Sequence, residues 1–379
     1  MCKKIFCCII CALCLGAAFP ERAEAASLSG ISAQGFVVMD AATDTVLYEH
    51  NAQKIMSMAS TTKIMTGLLA LERLNPDEIV TIREEMVMVE GTSMGLLPGD
   101  ALSVRGILTG LLLASGNDAA NTLAIHMAGS LPDFALLMNQ KAREIGMKNT
   151  SFVTPSGLDH DNHYTTACDM ALLASYAMKN PTFEDIVSSK KEKVVFQNPS
   201  KTVTYANHNR LLSTVDGAVG VKTGFTQKSG RCLVSAARRN GALLVAVTLK
   251  ASSDWDDHKK LYEYGFTQVG EVPLDTSIPK SLAVVASSKT EITLKTARTP
   301  TTVLPLTNNK IERKIQLPRF VFADITEGDP LGEIQYYCAG RLIHTEPILA
   351  AESAVIAVRE LTFWEKVKEK IRNIFRRKR

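Results

Sequence analysis

The sequence predicts an α+β fold: an antiparallel sheet flanked by helices, then a smaller all-β C-terminal domain and a terminal amphipathic helix. Three features carry this expectation. Strand-like runs open and close the region from residue 35 to about 250, helix-like runs fill its middle, and beyond Gly270 the chain turns to short alternating segments rich in Thr, Val and Pro. A length of 379 residues suffices for two domains, and 46% hydrophobic residues is ordinary for a globular protein.

The first 25 residues read as a secretory signal: Lys3 and Lys4, an apolar run from Ile5 to Ala18, and the small-residue site Ala23-Glu24-Ala25. The mature chain would begin near Ala26. The apolar run is shorter than the ~20 residues of a spanning helix. Five of the eight cysteines (Cys2, Cys7, Cys8, Cys11, Cys14) fall in this segment, and Cys168, Cys232 and Cys338 are too widely spaced for a disulfide framework or metal cluster. The protein is therefore expected to act after export, at the outer face of the cytoplasmic membrane, on the periplasmic or cell-wall side.

From Gly35 to Glu49, two β-rich runs flank Asp40-Ala-Ala-Thr-Asp44 and predict an opening hairpin. Over residues 60–74, Ile64, Leu68 and Leu71 recur at helical spacing, and Asn75-Pro76 ends the run, so Ser60 falls at the start of a buried helix. Further helical segments are expected around 103–129, 133–146 and 167–178. Strands follow over 218–223, 232–237 and 242–249, with turns at Lys228-Ser-Gly and Arg239-Asn-Gly, and a helix over 255–264. These elements form one domain over 26–268; a small β-rich domain is expected over 269–350 and an amphipathic helix over 351–379.

The net charge of +4 is unevenly placed. Residues 365–379 hold eight basic and two acidic residues, so this tail carries +6 and everything before it −2. The body has no basic bias pointing to nucleic acid. In the tail, Leu361, Trp364, Val367 or Lys368, Ile371, Ile374 and Phe375 recur at three- and four-residue steps opposite a basic face, the pattern of a helix lying in a membrane interface. A basic solubilising tail or partner-binding helix shares that pattern, whereas the charge density excludes a spanning helix.

Three motifs can carry chemistry. Ser60-Thr-Thr-Lys63 puts a lysine one helical turn from a serine, near enough to take its proton once burial disfavours the charged amine. Ser188-Ser-Lys-Lys191 and Ser277-Ile-Pro-Lys280 match the same spacing but lack a following apolar helix. Ser115-Gly116-Asn117 follows the apolar run 107–114 and offers either a relay hydroxyl and an amide to one cleft, or a plain helix-breaking loop with a capping Asn. Lys222-Thr223-Gly224 ends a predicted strand, where a lysine, a hydroxyl and a closely approachable backbone can bind a carboxylate, or mark an ordinary edge strand. Lys228-Ser229-Gly230 is a decoy in a turn. His160 and His163 have a spacing that suggests a metal, but a cleft-lining loop explains them as well, and no metal or other cofactor is expected. His208 reads as a structural or rim residue.

In order, spacing and placement the three motifs resemble the serine penicillin-recognising enzymes. The segments Met58-Ala-Ser-Thr-Thr-Lys-Ile-Met-Thr66, Ala114-Ser-Gly-Asn-Asp-Ala119, Asn207-His-Asn-Arg-Leu-Leu212 and Gly220-Val-Lys-Thr-Gly224 are more closely similar to the D-alanyl-D-alanine carboxypeptidases, the low-molecular-mass penicillin-binding proteins. The similarity runs from about residue 30 to the tail. It implies a β-lactamase/DD-peptidase-like catalytic domain, a smaller strand-rich domain and a membrane-holding terminal helix. It implies a peptidoglycan pentapeptide as substrate, β-lactams as inhibitors and no nucleic-acid partner. By the same resemblance Ser60 attacks the D-Ala-D-Ala carbonyl, Lys63 takes its proton and Ser115 helps protonate the leaving D-alanine. Asn117 orients Lys63 and the substrate amide, Lys222 and Thr223 hold the terminal carboxylate, and the backbone N–H groups of Ser60 and Phe225, the residue after Gly224, form the oxyanion hole. Phe225 departs from the His or Tyr common there.

Two rivals follow from the same motifs. A class A β-lactamase needs a second carboxylate, and Glu72-Arg-Leu-Asn75 is one residue short of the required pattern and too early in the chain. A catalytically silent cell-wall or penicillin-binding protein would keep the fold without turnover.

Overall fold

A computed structural model of the chain describes residues 29–357 and 362–376; the expected signal at 1–25, and Leu361 of the tail, lie outside the described residues. The strands β1 (Gly35–Asp40) and β2 (Thr45–His50) form the opening hairpin, and β3 (Ala218–Thr226), β4 (Gly230–Arg239) and β5 (Ala242–Ala251) complete one antiparallel sheet in the order β2-β1-β5-β4-β3. Every residue of β1 is buried because both faces of the sheet are covered. Alternation along the strand divides them: Val37 and Met39 join the large helical core, while Phe36 and Val38 pack with Leu261 and Tyr262 on the other face.

The large core is built on α1 (Lys63–Arg73), α2 (Val104–Leu112), α3 (Asn117–Ala128), α4 (Leu131–Ile145) and α5 (Ala167–Ala177). Leu261 and Tyr262 belong to α6 (Asp254–Gly265), which lies on the opposite face. The expected segment 103–129 is two helices, because Ser115 takes a left-handed φ of 61° and Gly116 leaves helical geometry before Asn117 starts α3. Ser60 lies in a 3-10 turn, Ala59–Thr62, ahead of α1. The sequence reading passed over Lys191–Asn198 and Lys201–Ala206, a hairpin in a separate four-stranded sheet. Only Val194, Phe196 and Tyr205 are buried there, so its apolar signal is thin.

Between the short 3-10 turn that follows α6 (Phe266–Gln268) and residue 357 the regular elements are all strands. A six-stranded sheet contains β6 (Ser281–Val285), β7 (Glu291–Thr296), β8 (Ile311–Gln316), β9 (Phe320–Phe322), β10 (Pro330–Cys338) and β11 (Arg341–Ala350), in the order β8-β10-β11-β7-β6-β9. Its core, including Ile292, Ile334, Tyr336 and Ile348, is separate from the cores of the preceding part. Arg341 and Asp44 form an ion pair between the two parts. A final helix, α7 (Phe363–Arg376), follows, and Phe363, Trp364 and Ile371 on it are exposed. No helix of the described residues is long and apolar enough to cross a membrane.

Candidate active site

The turn bearing Ser60 is held from below. Ala59 has a left-handed φ of 47°. Gly157 sits so close to this turn that a Cβ there would lie 2.0 Å from the Ala59 carbonyl oxygen, so only glycine fits. Val153 N–H donates to Nδ1 of His163 (2.9 Å), which leaves the ring proton on Nε2, 2.8 Å from Thr62 Oγ1. Thr62 in turn donates its hydroxyl hydrogen to the Ala59 carbonyl (2.8 Å). Burial holds the His163 pKa down at about 4, so the ring is neutral and both nitrogens are engaged in positioning the turn.

Lys63 is fully buried, with Nζ 3.0 Å from Ser60 Oγ, 2.7 Å from Asn117 Oδ1 and 2.7 Å from the Ser156 carbonyl oxygen. Burial, then repulsion from Lys222, pushes its pKa well below the ordinary lysine value, with Asp118 opposing. A neutral amine has two hydrogens and one lone pair. Asn117 Oδ1 and the Ser156 carbonyl can only accept, so in the neutral form they would take the two hydrogens and leave the lone pair toward the Ser60 hydroxyl. The Asn117 amide is fixed in this sense because its Nδ2 donates to the Glu90 carbonyl (2.7 Å). The arrangement is that of a general base beside a nucleophile.

Above this pair opens a cleft of about 550 Å³ lined by Ser60 and Ser115, by Thr223, Gly224 and Phe225 of β3, and by Thr92, Asn207, His208, Arg210, Arg231, Asp254 and Trp255. The strand β3 is the sheet edge, so one row of its backbone groups faces this space. A Cβ on Gly224 would lie 3.0 Å from Ser60 N. Lys222 is buried at the same edge, its Nζ donating to the Thr223 carbonyl (2.8 Å), and burial pulls its pKa to about 7.

All three motifs thus converge. The decoys do not: Ser188 Oγ donates to the Asp185 carbonyl, Ser277 Oγ to Asp275, and Lys228 pairs with Asp161 outside the cleft. Glu72, the carboxylate weighed for a β-lactamase, is paired with Lys141 at 2.6 Å.

Sequence reasoning missed several supports. Asp118 accepts hydrogen bonds from the N–H groups of Met94, Gly95 and Leu96 and from the Ser93 hydroxyl, and so fixes the loop over the cleft. Asn209 Nδ2 donates to the Gly220 carbonyl (2.7 Å), and Asn207 to those of Val187 and Ser189, tying the Asn207-His-Asn-Arg segment to β3 and its neighbours. The wall formed by Arg231, Asp254 and Trp255 had no motif to announce it. Arg231 and Asp254 face each other there at 3.7 Å.

Residues 21–253 match the family described as D-alanyl-D-alanine carboxypeptidase. The D-alanyl-D-alanine carboxypeptidase DacF of Bacillus subtilis (strain 168) is 31% identical over 334 residues, covering 84% of this chain and 85% of its own. Among solved structures, the D-alanyl-D-alanine carboxypeptidase DacD from Francisella tularensis superposes with a TM-score of 0.61 at 27% identity, over 86% of this chain and 95% of that one. The Streptomyces K15 DD-transpeptidase gives 0.60 at 35% identity, over 63% of this chain and 98% of that one. The match spans more than half of the chain, and on it this chain belongs to the D-alanyl-D-alanine carboxypeptidase family of serine peptidases.

Proposed function

We propose that this chain removes the terminal D-alanine from peptidoglycan stem peptides through an acyl-enzyme on Ser60. The observation that carries the reading is the fully buried Lys63, its Nζ 3.0 Å from Ser60 Oγ and 2.7 Å from both Asn117 Oδ1 and the Ser156 carbonyl oxygen, with burial lowering its pKa. Ser60 Oγ attacks the carbonyl of the penultimate D-alanine as its proton moves to Lys63 Nζ. The oxyanion is received by the N–H groups of Ser60 and Phe225, each donor of this kind being worth ~10²–10³ in rate. On collapse the C–N bond breaks, and the departing amine takes a proton relayed from Lys63 through Ser115. Water then attacks the ester with Lys63 as base, freeing the shortened peptide and Ser60.

Lys222 and Thr223 receive the substrate carboxylate, whose charge restores the ammonium form of Lys222, and Gly224 lets β3 approach the nucleophile turn. A β-lactam acylates Ser60 in the same way, but its amine remains tethered and blocks the water. Phe225, 66% exposed at the rim, supplies a backbone donor and no titratable ring.

The catalytic unit spans 26–268 and the β-rich unit 269–350. Supporting this division are the separate cores and the coverage of nearly all of the K15 chain by 63% of this one. Residues 1–25 direct export, and α7 holds the enzyme on the outer face of the cytoplasmic membrane by lying in the interface with its basic face toward anionic lipid.

Release of D-alanine from a peptide ending in D-Ala-D-Ala tests the reading. Wild type is expected to turn over many equivalents and Ser60→Ala none; equal release by both sinks it. Co-sedimentation with anionic vesicles that is lost in Ile371→Glu tests the helix.

A further inference from the structure

The outward positions of the C-terminal sheet are not uniform. Along β7 and β8 they are polar, with Glu291, Thr293, Glu312, Lys314 and Gln316 exposed. At the other edge they are apolar. The short edge strand β9 runs parallel to β6 with Ala283 beside Phe320 and Val285 beside Phe322. These are all exposed, Phe320 to 47% and Phe322 to 65%, with the two rings edge-to-face. Paired aromatics on an unpaired edge strand are the reverse of the charged residues with which soluble proteins blunt such edges.

The chain leaves the domain at this same place. Ala357 N–H donates to the Ala286 carbonyl (2.8 Å), one residue past Val285, and Ile356 bridges Ser287. Val355 and Ile356 are themselves 61% and 54% exposed. From Ala357 to Thr362 there are five residue steps, which reach at most ~18 Å. The amphipathic helix α7 thus begins within that distance of Ala357, which is bonded one residue past the Val285 that pairs with Phe322.

We infer that the β9 edge, carried by Phe320 and Phe322, is a second lipid-contacting surface that enters the membrane interface beside α7. This rests on the proposed interfacial role of α7. A lipid surface is the occupant the chain path favours: any bilayer that holds α7 lies within reach of this edge, and the second contact forms at high effective concentration. A single attachment point does not by itself fix the orientation of the enzyme on the membrane. Two attachment points fix how the β-rich domain stands on the membrane and hence which way the catalytic cleft faces.

The test uses the exported chain with its tail. Cys168, Cys232 and Cys338 are buried, so an environment-sensitive fluorophore can be placed selectively on Phe322→Cys. Vesicles of mixed neutral and anionic phospholipid should shift its emission to the blue, and lipids carrying a quencher in the acyl chain should quench it. Phe320→Ser/Phe322→Ser should bind vesicles about tenfold more weakly than wild type, with melting temperature and D-alanine release from a soluble peptide unchanged. If wild type sediments with vesicles while the probe stays unshifted and the double variant binds equally, the second contact is wrong and the α7 reading stands. If wild type does not sediment at all, both fall. A blue shift that grows with protein concentration in the absence of lipid would assign the edge to a second copy of the chain and overturn the inference.

Discussion

The Cβ position of Gly224 falls 3.0 Å from the backbone nitrogen of Ser60, with Ala59 Cβ at 3.1 Å. The edge strand and the nucleophile turn are therefore as close as two backbones with one missing side chain allow. A methyl group there would press on the backbone nitrogens of Ser60 and Thr61 and on Ala59 Cβ, beside the proposed oxyanion donors. Gly224→Ala is predicted to lower kcat/KM for D-alanine release by roughly 10²–10³-fold. The melting temperature should fall only slightly, because β3 is a sheet edge that can shift outward. Full activity in a folded Gly224→Ala protein would contradict the oxyanion assignment.

In the proposed mechanism Lys63 serves as base, and burial favours that role by lowering its pKa well below the ordinary lysine value. An arginine keeps its charge under all working conditions. Lys63→Arg should therefore cut the rate of acylation by penicillin by ~10²–10⁴-fold, in line with loss of a general base. Stopped-flow or mass-resolved acylation would measure this directly, and a residual rate within about tenfold of wild type would exclude Lys63 from that role.

The two buried lysines predict a bell-shaped pH dependence of kcat/KM. The acid limb is protonation of Lys63. The alkaline limb is the loss of charge from Lys222, whose pKa burial lowers to about 7 in the free enzyme, so carboxylate binding weakens as pH rises through that value. Lys222→Arg should flatten the alkaline limb, and an unchanged limb in that variant would assign it to another group.

His163 links stability to acid. Its folded pKa of about 4 lies below the ordinary 6.5, so the unfolded chain binds the extra proton first as pH falls. Stability should decline between about pH 6.5 and 4 by on the order of 3 kcal/mol from this group. Chemical denaturation of wild type and His163→Gln at neutral pH and again near the folded pKa would show a smaller pH difference in the variant. Equal differences would mean that the ring does not resist protonation.

Much of this site was legible because its chemistry sits in short, local patterns. Ser60 and Lys63 are one helical turn apart, and Lys222 to Phe225 lie on one strand, so periodicity placed each group on the right kind of element. The 3-10 turn was less legible: the apolar spacing of Ile64, Leu68 and Leu71 marks α1 but is silent on where helical hydrogen bonding starts. The supports were hidden for a different reason. Gly157 and His163 act through contacts with Ala59 and Thr62 that span about a hundred residues, and Asp118 acts on a loop more than twenty residues upstream. Nothing in local composition marks such pairs. The hairpin at 191–206 is hard to read because its alternation is mostly polar, and nothing local to Phe320 and Phe322 tells that β9 is a sheet edge.

The most direct test of the account is the intact mass of the exported protein after brief exposure to benzylpenicillin, beside Ser60→Ala treated alike. The account predicts one penicilloyl adduct per wild-type chain, mapped to the peptide holding Ser60, and none on the variant. An adduct of equal yield on Ser60→Ala, or none on folded wild type that also releases no D-alanine, would contradict the claim that Ser60 is the nucleophile of this enzyme.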